Sequence, residues 1–396
     1  MYAEAHLQTA LQLVQAYAGE MPFAHYARQY FAAHKKHGSR DRKQIQQLCY
    51  AWFRLGPALP LLAPRDRMML GLLLTASAPN ALLGALQEDW NAGAALPLAA
   101  KLTMLDKAVY GTVTVADLQA IFPWSDFLSE GIDTTAFALS HVQQPDLFAR
   151  IRPGYKESLI RRLEERWIAY SLVADNSLRL PNGYDAAKDF ELDKELVIQD
   201  LSSQRTGELL ALIPATEKPA AIWDCCAASG GKSLLAMDYF PKAFLTVTDI
   251  RQSILVNLAA RFLRAGIRNY KRLEADISLA APDLRLQDLV IADLPCTGSG
   301  TWSRAPENLS FFDPDSIADF SLLQKSIAIH ALTRLRPGGY LLYITCSVFK
   351  QENEENVDWL VQERGLTVMD MRVLKGYAEK ADSMFVTLLR SGACAD

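Results

Sequence analysis

Cys296 and Cys346 are the residues on which chemistry would turn in this sequence. The first lies in Asp293-Leu-Pro-Cys296-Thr-Gly298-Ser-Gly300 and the second in Thr345-Cys346-Ser347, each just beyond a short apolar run that reads as a β-strand. A single cysteine is usually a small buried apolar group. Two at the carboxyl ends of neighbouring strands, with an aspartate and a glycine-rich loop at the same edge, point instead to thiols facing a ligand crevice. Imidazole activation is poorly supported, because His330 is the only histidine in the C-terminal half and falls on a predicted helix. A Ser-His or Cys-His hydrolase would lack its base.

A second constellation begins at Asp224. The predicted strand AIWD runs into Cys225-Cys226-Ala227-Ala228-Ser229-Gly230-Gly231-Lys232-Ser233 at a helix start. Small residues there let the backbone approach a ligand, and a helix N-terminus favours negative charge. The Gly-Lys-Ser ending invites a phosphate-loop reading, but that motif needs a glycine where this chain has Cys226. Asp249 ends the next predicted strand about 20 residues beyond the glycines, where a carboxylate can accept both ribose hydroxyls of a nucleoside. Asp276, closing a further predicted strand, is placed to meet an adenine amino group. Any one of these aspartates could instead cap a helix. NAD and S-adenosylmethionine both present an adenosine to such a site, so the spacing leaves both open.

These residues need a sheet to hold them. From residue 216 onward the runs AIWDCC, AFLTVTDI, DLVIADLP and GGYLLYITCS alternate with predicted helices over GKSLLAMDYF, QSILVNLAARFLRAG, Ile317 to Leu335 and Glu352 to Glu363. Such alternation means parallel strands joined by right-handed crossovers, hence a doubly wound α/β domain that binds ligands beyond the carboxyl ends of its strands. Residues 1–143 carry apolar positions at helical spacing, as in Leu7, Leu11, Val14 and Tyr17, broken at Gly38-Ser39, Pro60 to Pro64, Pro79-Asn80 and Pro123. They predict an all-α domain. Between the two, residues 144–215 combine a strand-like LFARIRP with a helical ESLIRRLEERWIAY, and predict a small α+β linker domain.

With 396 residues, 50% hydrophobic and 22% charged, the chain has the composition of a soluble globular protein of two or three domains. No run approaches the roughly 18 to 20 apolar residues of a membrane span, and the N-terminus lacks the charge and apolar pattern of a signal peptide. A cytoplasmic protein without membrane association is expected. Cys49, Cys225, Cys226, Cys296, Cys346 and Cys394 form no CxxC pair and no zinc-type spacing, so reduced thiols and no metal are expected. The net charge of −4 means that a nucleic-acid partner would have to be met locally. His34, Lys35, Lys36, His37, Arg40, Arg42, Lys43 and Arg54, opposed only by Asp41, are the candidate patch, with Ser39 or Asp41 placed to cap their helix. The alternative for this patch is an ordinary solvated helix face. A monomer is expected, since no coiled-coil repeat is evident.

The chain resembles the NOL1/NOP2/Sun family of RNA cytosine-5 methyltransferases over roughly residues 145 to 390, through VIQDLSSQ at 197–204, DCCAASGGKS at 224–233, DLPCTGSGTWSRAPE at 293–307 and TCSVFKQENE at 345–354. The doublet of a Pro-Cys loop and a Thr-Cys-Ser strand end is its most specific feature. The segment HKKHGSRDRKQIQQLCYAWFR at 34–54 looks like the NusB-like RNA-binding domain of bacterial ribosomal-RNA members. The resemblance implies a Rossmann-like methyltransferase domain that takes S-adenosyl-L-methionine through Cys226 to Lys232, Asp249, Asp276 and Asp293. It implies an RNA substrate, most readily small-subunit ribosomal RNA, with Cys346 as nucleophile and Cys296 assisting product release.

On that resemblance, the Cys346 thiolate adds to carbon 6 of a cytosine, Asp293 holds the N3/N4 edge of the base, and Lys232 orients Asp293 or lowers a thiol pKa. Two departures stand out. Ser229 replaces the proline usual before the paired glycines, and Ile254 stands where many members place an arginine after the ribose-binding acid. The motifs leave open a transfer-RNA substrate, and equally a catalytically silent RNA-binding assembly factor.

Overall fold

The computed structural model describes residues 2–392; Cys394 lies outside them. The chain forms two compact units that are discontinuous in sequence. One comprises residues up to Asp126, Asp133–Pro145 and Thr301–Pro314; the other comprises Phe127–Ile132, Asp146–Gly300 and the chain from Asp315 onward.

The first unit is helical, as the spacing predicts. Helices α1 (Tyr2–Ala16), α3 (Ser39–Phe53) and α4 (Pro64–Thr75) pack together, with α2 (Phe23–Ala33) between the first two in sequence. Helix α1 buries Leu7, Ala10, Leu11 and Val14, and α3 buries Ile45, Leu48, Cys49 and Phe53, each set recurring every three or four residues on one face. Gly38 occupies the cap position of α3, and Asp41 reaches back to accept its N–H at 2.9 Å. Ser39 opens the helix rather than capping it. Residues 301–314 complete this unit: Trp302 is buried with ring centroids 5.7 Å from Trp124 and 4.7 Å from Phe312, and the buried Glu307 accepts the Phe23 N–H at 3.0 Å.

The second unit is α/β. Its first part is a four-stranded antiparallel sheet in the order β2-β3-β1-β4, made of β1 (Leu147–Ile151), β2 (Ser171–Ala174), β3 (Ser177–Leu180) and β4 (Leu196–Ile198). Helix α5 (Lys156–Glu165) lays Leu159 and Leu163 against Ala149, Ile151, Leu178 and Leu180 of that sheet. Trp167 lies beyond the end of α5, so the helix is shorter than its sequence pattern suggests.

The larger sheet has seven strands in the order β10-β11-β9-β8-β5-β6-β7. They are β5 (Ala221–Asp224), β6 (Phe244–Asp249), β7 (Tyr270–Glu274), β8 (Gln287–Asp293), β9 (Leu335–Thr345), β10 (Thr367–Leu374) and β11 (Met384–Arg390). The strands β5 to β9 pair in parallel, while β11 runs antiparallel between β9 and β10. The crossovers include α6 (Gly231–Tyr239), α7 (Gln252–Ala265), α8 (Ser316–Leu332) and α9 (Glu354–Arg364). Both faces of the sheet are covered, and alternate residues serve opposite cores. Ile222, Leu289, Ile291 and Leu342 pack on one side; Trp223, Val290, Ala292 and Leu341 pack on the other. The arrangement is Rossmann-like. Strand order reverses between β5 and β8, which opens a crevice at their carboxyl ends. Among the described residues, no helix is long and apolar enough to cross a membrane.

Candidate active site

The carboxyl ends of the parallel strands carry the residues singled out from the sequence. Asp224 closes β5 in register with Ile291 of β8 and Val247 of β6; Asp249 closes β6, and Asp293 closes β8 opposite Ile344 of β9. Cys346 therefore follows two residues beyond the partner of Asp293. The loop after β8 is laced onto it: Leu294 donates to the Ile344 carbonyl at 2.9 Å, and Gly300 donates to the Cys346 carbonyl at 2.9 Å. Gly300 allows this close packing, since a Cβ there would lie 2.0 Å from the Ser383 carbonyl oxygen. The Cys296 and Cys346 sulfur atoms are consequently 3.2 Å apart, within S–H···S hydrogen-bond distance.

The two thiols are not equivalent. The hydrogen bond with Cys346, burial, and the charges of Cys346 and Glu352 together push the Cys296 thiol well above its ordinary pKa. Asp293 faces a cation, with Lys232 Nζ 3.2 Å from its Oδ2. Lys232 is nearly buried and also donates to Ser203 Oγ at 2.8 Å. That serine lies in the VIQDLSSQ segment, and neither composition nor spacing marks it as a partner of Lys232.

The loop between β5 and α6 turns on two residues with positive φ, Ala228 at 46° and Gly230 at 86°. A side chain at Gly230 would be strained by that φ and would meet Phe262 Cε1 at 2.7 Å. Asp249 is nearly buried beneath this loop. Its Oδ2 accepts the Ala228 N–H at 3.0 Å, and its Oδ1 accepts the Arg251 backbone N–H at 2.9 Å and Arg251 Nε at 3.1 Å. Arg261 donates to the Ser229 carbonyl at 3.0 Å and so holds the loop from α7. Cys226, Ala227, Ser229, Gly231 and Lys232 complete the same turn. Cys225 is fully buried, and its thiol is pushed well above the ordinary value by its contact with Cys226 and by burial.

Two expectations need correction. The strand before Asp276 ends at Glu274, and Asp276 closes a local turn in which its Oδ1 accepts from the Ser278 N–H at 2.9 Å and the Ser278 hydroxyl at 2.5 Å. One of its oxygens is thus committed locally. Arg54 belongs to the interior of the helical unit rather than to a surface patch: its guanidinium donates to the carbonyls of His141, Gln143 and Ser303 at 2.7, 2.8 and 2.9 Å. Burial lowers its pKa to about 10. His37 is likewise buried, whereas His34, Lys35, Lys36, Arg40 and Lys43 are exposed. Among the described residues, no group of three or more His, Cys, Asp or Glu side chains is arranged to hold a metal ion.

Residues 210–387, which contain every one of the strand-end residues above, match the family described as 16S rRNA methyltransferase RsmB/F. Over these residues the chain is similar to the RsmB/F family. A relative from Xanthomonas campestris pv. campestris, ribosomal RNA small subunit methyltransferase B, is 27% identical over 357 residues, covering 82% of this chain and 80% of its own. The fold is also similar to that of solved structures. The crystal structure of PH0851 matches 97% of this chain and 98% of its own at 20% identity, with a TM-score of 0.67. NSun6 from Pyrococcus horikoshii, crystallised with SFG, matches 65% of this chain and 94% of its own at 16% identity, with a TM-score of 0.54. The RsmB/F match agrees with the resemblance carried by the Pro-Cys and Thr-Cys-Ser motifs. It begins shortly before β5, and so leaves the four named helices of the first unit outside it.

Proposed function

We propose that this chain is an S-adenosylmethionine-dependent RNA (cytosine-5)-methyltransferase acting on small-subunit ribosomal RNA. The observation that carries the reading is the 3.2 Å approach of the Cys296 and Cys346 sulfur atoms beside the Asp293–Lys232 pair. The ribosomal-RNA substrate is supported by the names of the family and of the Xanthomonas relative. The cofactor is supported by the SFG, an S-adenosylmethionine analogue, in the Pyrococcus horikoshii neighbour.

The residues present suit that cofactor. A cradle that a Cβ at Gly230 would fill, with the Asp249 carboxylate beneath it, suits a nucleoside, and Cys226 to Lys232, Asp249 and Asp293 would hold it, with Asp276 at the adenine end. When bound, S-adenosylmethionine supplies an electrophilic methyl group on a sulfonium.

Carbon 5 of cytosine is a poor nucleophile, and this chain's task is to enrich it. The Cys346 thiolate adds to carbon 6, breaking the 5,6 double bond and moving its electron pair toward carbon 5 and N3. Asp293, oriented by Lys232, holds the N3/N4 edge and stabilises that shift. Once carbon 5 carries the methyl group, Cys296, having given its own proton to water, takes the remaining carbon 5 proton as a thiolate; the double bond reforms and the Cys346 thiolate leaves. The target base must be unpaired or flipped out of a helix to reach the edge.

The test is asymmetric. Cys346→Ala should abolish both methylation and the covalent complex, whereas Cys296→Ala should trap a protein–RNA adduct that resists denaturing electrophoresis. An adduct in the first variant and none in the second would reverse the assignment. Bisulfite mapping of ribosomal and transfer RNA from cells with and without the gene should show the lost 5-methylcytosine in small-subunit ribosomal RNA; loss from transfer RNA instead would replace the substrate.

A further inference from the structure

Behind both thiols lies a carboxylate that this mechanism does not use. Glu352 sits between β9 and α9, wholly shielded from solvent, and four donors converge on its two oxygens. Oε1 accepts from the Thr297 backbone N–H and from Gln324 Nε2, each at 2.9 Å. Oε2 accepts from Thr297 Oγ1 at 2.6 Å and from Ser347 Oγ. Thr297 follows Cys296 and Ser347 follows Cys346, so one side chain grips both thiol-bearing turns.

The grip is itself braced. Gln324 Nε2 also donates to the Pro295 carbonyl at 2.9 Å, on the other side of Cys296, and Gln324 Oε1 accepts from Asn356 Nδ2 at 2.7 Å. The Tyr343 hydroxyl donates to the Glu352 carbonyl at 2.6 Å. A buried carboxylate is costly unless each oxygen is satisfied. Here burial raises the carboxyl pKa while the Ser347, Thr297 and Gln324 donors pull it back toward the charged form. A residue needed only to fill space would call for no such set of donors.

We propose that Glu352 is a positioning residue that fixes the separation of the Cys296 and Cys346 sulfur atoms and thereby the rate at which the RNA adduct resolves. This role rests on the cytosine-5 methyl transfer proposed above. The two sulfurs belong to different strands, and the Glu352 oxygens join the residue after each of them. Without the clamp, the Pro-Cys loop can drift relative to the Cys346 strand end, and a displacement near 1 Å can cost on the order of 100-fold in rate.

The experiment uses the full chain carrying Glu352→Gln, an isosteric change that leaves one acceptor oxygen for four donors. Two readouts are taken. Alkylation of Cys296 and Cys346 by iodoacetamide, followed peptide by peptide in a mass spectrometer, needs no RNA; the ratio of the two rates is expected to change at least threefold. With RNA, kcat is expected to fall at least tenfold with KM within twofold, and adduct to accumulate. Glu352→Asp, which keeps both oxygens, should recover part of kcat. An unchanged alkylation ratio and unchanged kcat in a variant that melts like the parent would overturn the proposal, as would a rise in KM alone. If Glu352→Gln does not fold, Thr297→Val and Ser347→Ala each remove one hydroxyl donor, and the same two outcomes decide. Should the parent methylate no cytosine in any RNA, the functional reading fails, while the alkylation ratio still decides whether Glu352 sets the thiol pair.

Discussion

At the scale of the residue, the ligand edge combines groups that water never reaches with groups that must meet a substrate. Asp224 is the extreme case. It is fully buried, its Oδ2 accepts from Ser233 Oγ at 2.6 Å, and burial raises its pKa from 3.8 to about 7. A raised carboxyl pKa means that the folded chain holds this proton more tightly than the unfolded chain. Its contribution to stability is therefore complete below pH 3.8 and is lost as the pH climbs through about 7. Asp224→Asn keeps an oxygen for Ser233 and cannot ionise. Thermal melts of the two proteins should differ little near pH 4, the variant should gain on the parent up to about pH 7, and the gap should then stay level. A gap that shrinks with rising pH would show that the charge is instead stabilised where it lies.

At the scale of the element, the turn from β5 into α6 depends on one glycine far more than on its neighbour. Gly230→Ala forces a side chain into a φ of 86° and against Phe262, whereas a Cβ at Gly231 meets nothing within 4 Å. The first substitution should cost about 1–3 kcal/mol in urea unfolding and weaken S-adenosylmethionine binding at least tenfold by calorimetry. The second should change stability by less than about 1 kcal/mol. These strands and this turn are legible in the sequence because a buried parallel sheet writes continuous apolar runs, and because glycine pairs mark a helix entry. Other features are not. Glu352 looks like one more acid at the start of a charged helix, yet its role depends on Thr297 and Ser347, which the fold alone brings to it. Arg54 sits in a basic stretch and reads as surface charge; only tertiary packing shows that its guanidinium ties three backbone carbonyls. Asp276 reads as a strand end because the irregular turn it closes has no periodicity to reveal it.

At the scale of the whole molecule, the net charge of −4 does not favour RNA, and if the proposed RNA substrate is right the exposed cations of the helical unit are where its phosphates would be met. Lys35, Lys36, Arg40 and Lys43 are exposed around the start of α3. Replacing all four by alanine should weaken RNA binding and reduce the salt dependence of log K by roughly 3, taking about 0.7–0.9 for each phosphate that is no longer neutralised. Filter binding at several salt concentrations would measure it, and kcat at saturating RNA should hold. An unaltered salt slope would return this patch to an ordinary solvated helix face.

The segment 301–314 gives the helical unit an unusual birth. The last of its N-terminal residues is Pro145, yet Trp302 and Glu307 are among its buried side chains. A ribosome adding about 5–20 residues per second takes on the order of 10–30 s to travel between those points. Through that interval Phe122 and Trp124, which pack against Trp302 in the finished fold, are without that partner. The unit begun first is therefore not complete until residue 314 has been added, by which point most of the other unit has already been made.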